Sequence, residues 1–208
     1  MARATVFSNR IEGALERYLV TEEDVPKLKK FWQVISNVMP PTFFESDMTK
    51  IDYLTVAYNR YTDALFQNGV LERRIANAVM GLEALFIKSG EVQELVYRLT
   101  LRMSKLLSFL GYEPYEVKKI VNDAYKVRNL FAHGGHLSYK EKRKLESKYK
   151  DVKNLLQQLL EYLRISIIVM ILSNREKDEL IDLIDDSFID KRQEEMLNDI
   201  VSKAKMIL

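Results

Sequence analysis

The chain has 208 residues, long enough to bury a substantial core in one folding unit, and its 47% hydrophobic and 30% charged residues are ordinary globular usage. Lys plus Arg number 32 against 30 Asp plus Glu, a net charge of only +2, which excludes a uniformly basic nucleic-acid coat and leaves any nucleic-acid contact to a local patch. Cysteine is absent, so disulfide staples, thiolate nucleophiles and Cys-based zinc sites are excluded together, which is compatible with a cytoplasmic setting.

The N-terminal residues Met1 to Ser8 lack the apolar stretch and small-residue cleavage site of a secretory signal. Glycine and proline are few and fall between periodic stretches, so an all-α chain is expected and strands are not needed. Thr21 opens a first helix that tolerates Pro26 and runs to Met39, where Pro40-Pro41 stops it. Three-and-four spacing of Tyr53, Leu54, Ala57, Tyr58, Tyr61 and Leu65 predicts a helix over Asp52 to Phe66, closed by Asn68-Gly69. Val70 to Ile87 follows with one broad apolar face, then Glu91 to Leu110, ended by Gly111.

Pro114 suits the first turn of the next helix, which turns Val117, Ile120, Val121, Ala124 and Val127 to the core and ends at Gly134-Gly135. Ser138 caps a long helix that begins charged, Tyr139 to Lys153, and becomes apolar from Leu155 to Leu172. Within it the run Leu163 to Leu172 is too short for a membrane span and contains Arg164, so it is read as a buried helix. Two amphipathic pieces, Glu176 to Phe188 and Lys191 to Ile207, complete the chain. The expected architecture is an up-and-down helical bundle with additional N- and C-terminal helices. It forms a single unit with a core at about 50–174, an N-terminal extension at about 1–49 and C-terminal helices at about 175–208.

The only two histidines lie three apart in Arg128-Asn129-Leu130-Phe131-Ala132-His133-Gly134-Gly135-His136. Imidazole can give or take a proton near neutral pH, and guanidinium is the fixed cation that best matches phosphate oxygens. Five residues of ideal helix set Arg128 and His133 about 140° apart. The glycine pair is therefore expected to end the helix at or before His133 and let the imidazole swing toward Arg128.

Two segments carry a family resemblance: Arg74-Ile75-Ala76-Asn77-Ala78-Val79-Met80-Gly81-Leu82-Glu83-Ala84-Leu85-Phe86, and Tyr125-Lys126-Val127-Arg128-Asn129-Leu130-Phe131-Ala132-His133-Gly134. The chain resembles the HEPN domains, and in particular their Apea-like group, over about half its length. The resemblance implies a helical bundle with a metal-independent ribonuclease site of Arg128, Asn129 and His133, completed across a homodimer. It also implies a setting in defence or toxin-antitoxin systems, with RNA as substrate and an antitoxin or other protein as partner. His133 would be general base or acid, Arg128 would stabilise the phosphorane, and Asn129 would orient His133 or a phosphate oxygen. A non-catalytic module of the same type that binds a partner protein or nucleotide is the alternative.

Around that core, Tyr125 could stack on a base or simply fill the core, and Lys126 and His136 could touch substrate. Glu83 could face the motif, or pair structurally with Arg74 or Arg128. Lys142, Arg143, Lys144, Lys148, Lys150 and Lys153 could meet RNA phosphates, although the interleaved Glu141, Glu146 and Asp151 also fit a solvated helix. No cofactor is expected, nor a metal, because the flexible glycine pair between His133 and His136 suits a loop better than a ligand set. No phosphate-binding glycine loop, serine elbow or dinucleotide fingerprint occurs.

Overall fold

The computed structural model describes residues 6–11, 14–43, 52–67 and 69–207. Nine α-helices run through them: Asp24–Ile35 (α1), Tyr53–Phe66 (α2), Leu71–Phe86 (α3), Leu95–Ser108 (α4), Pro114–Ala132 (α5), Tyr139–Tyr149 (α6), Val152–Ser173 (α7), Lys177–Asp186 (α8) and Lys191–Lys205 (α9). The fold is an all-α helical bundle, as the periodicities predict. The boundary expected near Thr49, and Asn68 of the Asn68-Gly69 stop, lie outside the described residues.

At the N-terminus the expectation that strands are not needed is corrected. Val6–Ile11 (β1) pairs antiparallel with Ala14–Leu19 (β2), in a register that sets Val6 opposite Leu19 and Ile11 opposite Ala14. Two strands separated by two residues satisfy their backbone groups locally, and helical periodicity carries no signal for them. The first helix is also shorter than expected: it stops at Ile35, and Pro41–Phe43 forms a short 3₁₀ turn before α2.

Several ends follow their local chemistry. Asp52 accepts from Thr55 N at 2.7 Å to start α2, Pro114 occupies the first turn of α5, and Ser138 with Glu141 forms a full capping box on α6. The long helix expected from Tyr139 to Leu172 is instead two helices. Lys150 breaks it at φ +66°, and Asp151 restarts it by accepting from Lys153 N at 2.8 Å, while Asn154 Nδ2 caps the Tyr149 carbonyl at 2.7 Å. The break turns the charged α6 back against the protein and frees α7 to run through the core.

α7 is 22 residues long, longer than its most apolar run, and by length and composition alone it could cross a bilayer. Here it is mostly buried, and α2, α3, α5 and α9 pack around it. α3 is the other central element, packed by α2, α5 and α7 with α4 at its edge. Gly81 permits this: a methyl group there would sit 2.8 Å from Leu163 Cδ2 and 3.3 Å from Arg60 Cβ, inside normal contact distance. Arg74 donates to the Ala64 and Leu65 carbonyls at 2.7 and 3.0 Å, closing the last turn of α2.

The helix expected from Glu91 begins only at Leu95, because Glu91 has another task. Its carboxylate takes the Lys88 backbone N–H and both terminal nitrogens of Arg102, which is 2% exposed. Arg102 also donates to the Phe86 carbonyl at 2.7 Å and, through Nε and Nη2, to Asp185 at 2.9 and 2.7 Å. One buried cation thus ties the end of α3, the following loop, α4 and α8. All five of its N–H donors are used, the condition under which burying a guanidinium is tolerable. Hydrogen bonds from Arg102 hold the Glu91 carboxyl down at about 2, against the opposing effect of burial.

Arg102→Ala removes the cation that Glu91 and Asp185 share, leaving Glu91 only the more exposed Arg98 at 3.0 Å, and is expected to destabilise the fold by roughly 3–5 kcal/mol in urea titration. Glu91 has a lowered folded-state pKa, so its contribution is complete above about 4.5, the ordinary carboxyl value, and is lost as pH falls toward about 2. Thermal midpoints measured across that window should fall for the wild type and fall less for Glu91→Gln.

Candidate functional site

The end of α5 is built by a Schellman motif. Gly135 N bonds the Leu130 carbonyl and Gly134 N the Phe131 carbonyl, both at 2.9 Å, with Gly134 at φ +78°. Gly135 is constrained by space, since a methyl group there would lie 2.7 Å from Leu130 Cδ1. His133 is the C-cap, and its N–H bonds the Asn129 carbonyl at 3.1 Å. Its side chain is exposed, and no hydrogen bond or ion pair engages the imidazole among the described residues. His136, in the loop beyond, is exposed too. Glu72 of α3 accepts from Leu137 N at 3.3 Å and so tethers this loop to the bundle.

Arg128 is held from the other side. Its Nη2 pairs with Glu83 Oε2 at 3.0 Å, its Nη1 donates to Asn129 Oδ1 at 3.1 Å, and its guanidinium lies over the Tyr125 ring at 5.4 Å. Two of its five N–H donors are used in this way, and the side chain keeps 28% exposure, so solvent or an anion can reach it. Tyr125 Oη donates to the other Glu83 oxygen at 2.8 Å. Burial first, then the bond to Glu83 and its charge, push the Tyr125 hydroxyl up to about 12 against the opposing pull of Arg128. The phenol therefore stays protonated at neutral pH and serves as a donor, not as a base.

Of the residues singled out by sequence, Arg128, Asn129, Glu83 and Tyr125 are one bonded cluster between α3 and α5. His133 stands one turn further on, joined to it only through the Asn129 backbone. α5 ends at Ala132 with His133 as its C-cap, as expected from the glycine pair, but no hydrogen bond joins the imidazole to Arg128 among the described residues, and helical geometry through Ala132 offsets the two positions around the axis. Glu83 pairs with Arg128 and not Arg74, whose side chain serves α2. Tyr125 is 9% exposed, too covered for a base to stack on its face. Lys126 is 76% exposed in its side chain and bonds Asp123 at 3.1 Å.

Asp123 is not among the residues that sequence pattern singles out. It is buried, and Lys126, Lys148 and Tyr149 all donate to its carboxylate, the last two at 2.6 and 3.0 Å. Burial raises its pKa, but those three bonds outweigh burial and the net shift is downward. A carboxylate among the core-facing Ile120, Ala124 and Val127 was the available signal. Asp123, Val127, Leu130, Lys144 and Lys148 border a cleft of about 180 Å³ between α5 and α6. Lys148 of the basic run is thereby partly neutralised, and Arg143 Nε is bonded to Tyr139 Oη at 2.8 Å. Among the described residues no three His, Asp or Glu side chains gather as a metal site.

Fold and site together define a class in structural terms: a helical bundle presenting a carboxylate-held arginine and an exposed histidine at one helix end. No protein-family model, curated protein or solved structure matches the chain.

The geometry assigns Gly134 a measurable cost. Gly134→Ala forces a side chain into the left-handed region and is expected to lower stability by about 1–2 kcal/mol, read by urea titration. Glu83→Gln should cost more than a surface pair does, because it removes the charge facing Arg128 while leaving the shape of the cluster intact.

Proposed function

We propose that the chain is a cytoplasmic, metal-independent endoribonuclease of the HEPN type, acting in a defence or toxin-antitoxin setting. One observation carries this reading: at the same helix end, a freely exposed imidazole follows an arginine already oriented by a buried-side carboxylate and still open to solvent. Such a pair supplies the two needs of phosphodiester cleavage, proton transfer and stabilisation of added negative charge on phosphorus.

In the proposed reaction a base takes the ribose 2′-OH proton and O2′ bonds to phosphorus. The bond from phosphorus to O5′ then breaks, and O5′ takes a proton from an acid. The products are a 2′,3′-cyclic phosphate and a 5′-hydroxyl. His133 fills the base or the acid role, Arg128 meets the non-bridging oxygens, and Asn129 fixes the Arg128 head. Glu83 and Tyr125 act as positioning residues for Arg128. One imidazole cannot be base and acid in the same step, and within one protomer Arg128 turns to α3 while His133 faces solvent. A two-fold homodimer that lays one copy's His133 against the other's Arg128 resolves both points.

A second reading rests on the Glu83–Arg128 pair itself. If that pair neutralises the arginine fully, the same helix end is a non-catalytic surface for a partner protein, such as an antitoxin, or for a nucleotide.

Unstructured RNA incubated with the protein in EDTA should be cut, with end-group analysis returning cyclic phosphates. His133→Ala should lose about 10²–10⁴-fold in rate and Arg128→Ala about 10²–10³-fold. Absence of cleavage by pure dimer on every RNA tried would favour the partner-binding reading. Light scattering checks the assembly, and a strict monomer that still cleaves RNA sinks the shared site.

A further inference from the structure

Tyr115 and His133 are 18 residues apart on α5, five full turns, so they project in the same direction about 27 Å from one another. Between them, within roughly 60° to either side, come Lys118, Lys119, Asn122, Lys126 and Asn129, with Leu130 at the margin. Tyr115 is 69% exposed, Lys118, Lys126 and His133 are exposed, and Lys119, Asn122 and Asn129 are half-exposed. No carboxylate of α5 lies on this stripe. Glu116 and Asp123 sit about 80–100° round the helix, and Asp123 is buried beneath Lys126 and Lys148. The acids beside the stripe are Glu116, which pairs with Lys119 at 3.4 Å, and Glu113 in the groove at the Tyr115 end, while Lys118 and His133 have no such partner among the described residues. In a chain with a net charge of +2, a helix face of lysines, amides and an imidazole is still a local asymmetry.

The stripe does not stop at Tyr115. There it enters a groove of about 530 Å³ between α4, the start of α5 and the turn joining α8 to α9. Tyr97 and Phe188, 56% and 43% exposed, face this groove with Tyr115 and Lys118. Lys105 lies over the Phe188 ring at 5.3 Å and is anchored by Glu194 at 2.6 Å, which fixes that ring as one wall. The hydroxyls of Thr100 and Ser104 donate to the Tyr97 and Pro114 carbonyls, so their oxygens are left as acceptors.

We infer that the exposed face of α5 is a track for single-stranded RNA, along which lysines meet the phosphates from His133 to an aromatic groove at Tyr115 that holds unpaired bases. This deepens the nuclease reading and rests on it for the direction of the track. The interaction is of the kind that binds single strands without sequence readout: a cationic line for the backbone, and aromatic faces on which any base can stack. At the 3.4 Å spacing of stacked nucleotides, about 27 Å corresponds to about eight. A strand of that length reaches both ends of α5, and a dinucleotide reaches only one. A protein partner is less well matched, since between Tyr115 and His133 the stripe carries no acid of its own and only one large apolar side chain, the half-buried Leu130 at its margin.

The experiment is fluorescence anisotropy of the wild-type protein with a labelled, unstructured 2′-O-methyl RNA of about eight nucleotides, which the proposed reaction cannot cut, and with a dinucleotide. The longer strand should bind markedly tighter. Lys118→Glu and Lys126→Glu should each lower the slope of log affinity against log salt by about 1, while Lys203→Glu on the far α9 should not. Tyr115→Ala should weaken binding between about fivefold and a hundredfold at constant thermal midpoint. Binding that these three variants leave unchanged, or no binding of the longer strand, overturns the track. So does Tyr115→Ala altering the oligomeric mass with RNA affinity intact, which would give the face to a second copy. Cleavage of ordinary RNA that ignores the stripe variants removes the track and spares the nuclease. Stripe-dependent binding without cleavage does the reverse.

Discussion

The seating of α3 between α5 and α7 is the constraint on which the rest of the molecule depends. On one side Gly81 lets Leu163 approach closer than a Cβ there would allow without a shift, so α7 can run through the centre. On the other, the single carboxylate of Glu83 takes a hydrogen bond from Tyr125 and an ion pair from Arg128, which fixes the C-terminal half of α5 in rotation as well as position. Glu72, three turns earlier on the same face of α3, holds the loop after α5 by the Leu137 N–H. The helix end that carries the candidate chemistry is therefore positioned by α3 at two points.

Charge is handled differently at the two ends of the bundle. Near α8, Arg102 is buried and fully satisfied by two carboxylates and a carbonyl, an arrangement with no donor left over for a ligand. At the end of α5, Arg128 is only partly satisfied and partly exposed. Two arginines in helices of similar pattern thus play opposite parts. The first closes a joint between elements, whereas the second is held by one edge with its remaining donors available to an anion. That difference, more than the arginine-histidine spacing, is what the proposed function rests on at the α5 end.

The offset between Arg128 and His133 also has structural sense. A helix that continues regularly to its C-cap cannot place both on one face, and the glycines bend the chain only after His133 has been placed. Arg128 consequently looks into the bundle edge and His133 along the outer face of α5, in line with Tyr115. A site assembled from such parts calls for a second surface, whether a second protomer or a strand lying along the helix.

The sequence by itself determined the all-α class, most helix positions and the stop at Gly134-Gly135, because capping residues, prolines and three-and-four apolar spacing act within a few residues of where they stand. It also drew attention to Arg128, Asn129 and His133, whose side-chain chemistry is the same in any fold. Tertiary structure alone decided which acid meets which base. Glu83 with Arg128, Glu91 and Asp185 with Arg102, and Lys148 with Asp123 join residues 11 to 83 positions apart in the chain. It likewise decided the break at Lys150, the β1–β2 pairing and the direction of His133, since each depends on how backbone geometry and packing are satisfied in three dimensions. Local rules of spacing contain no information about those choices.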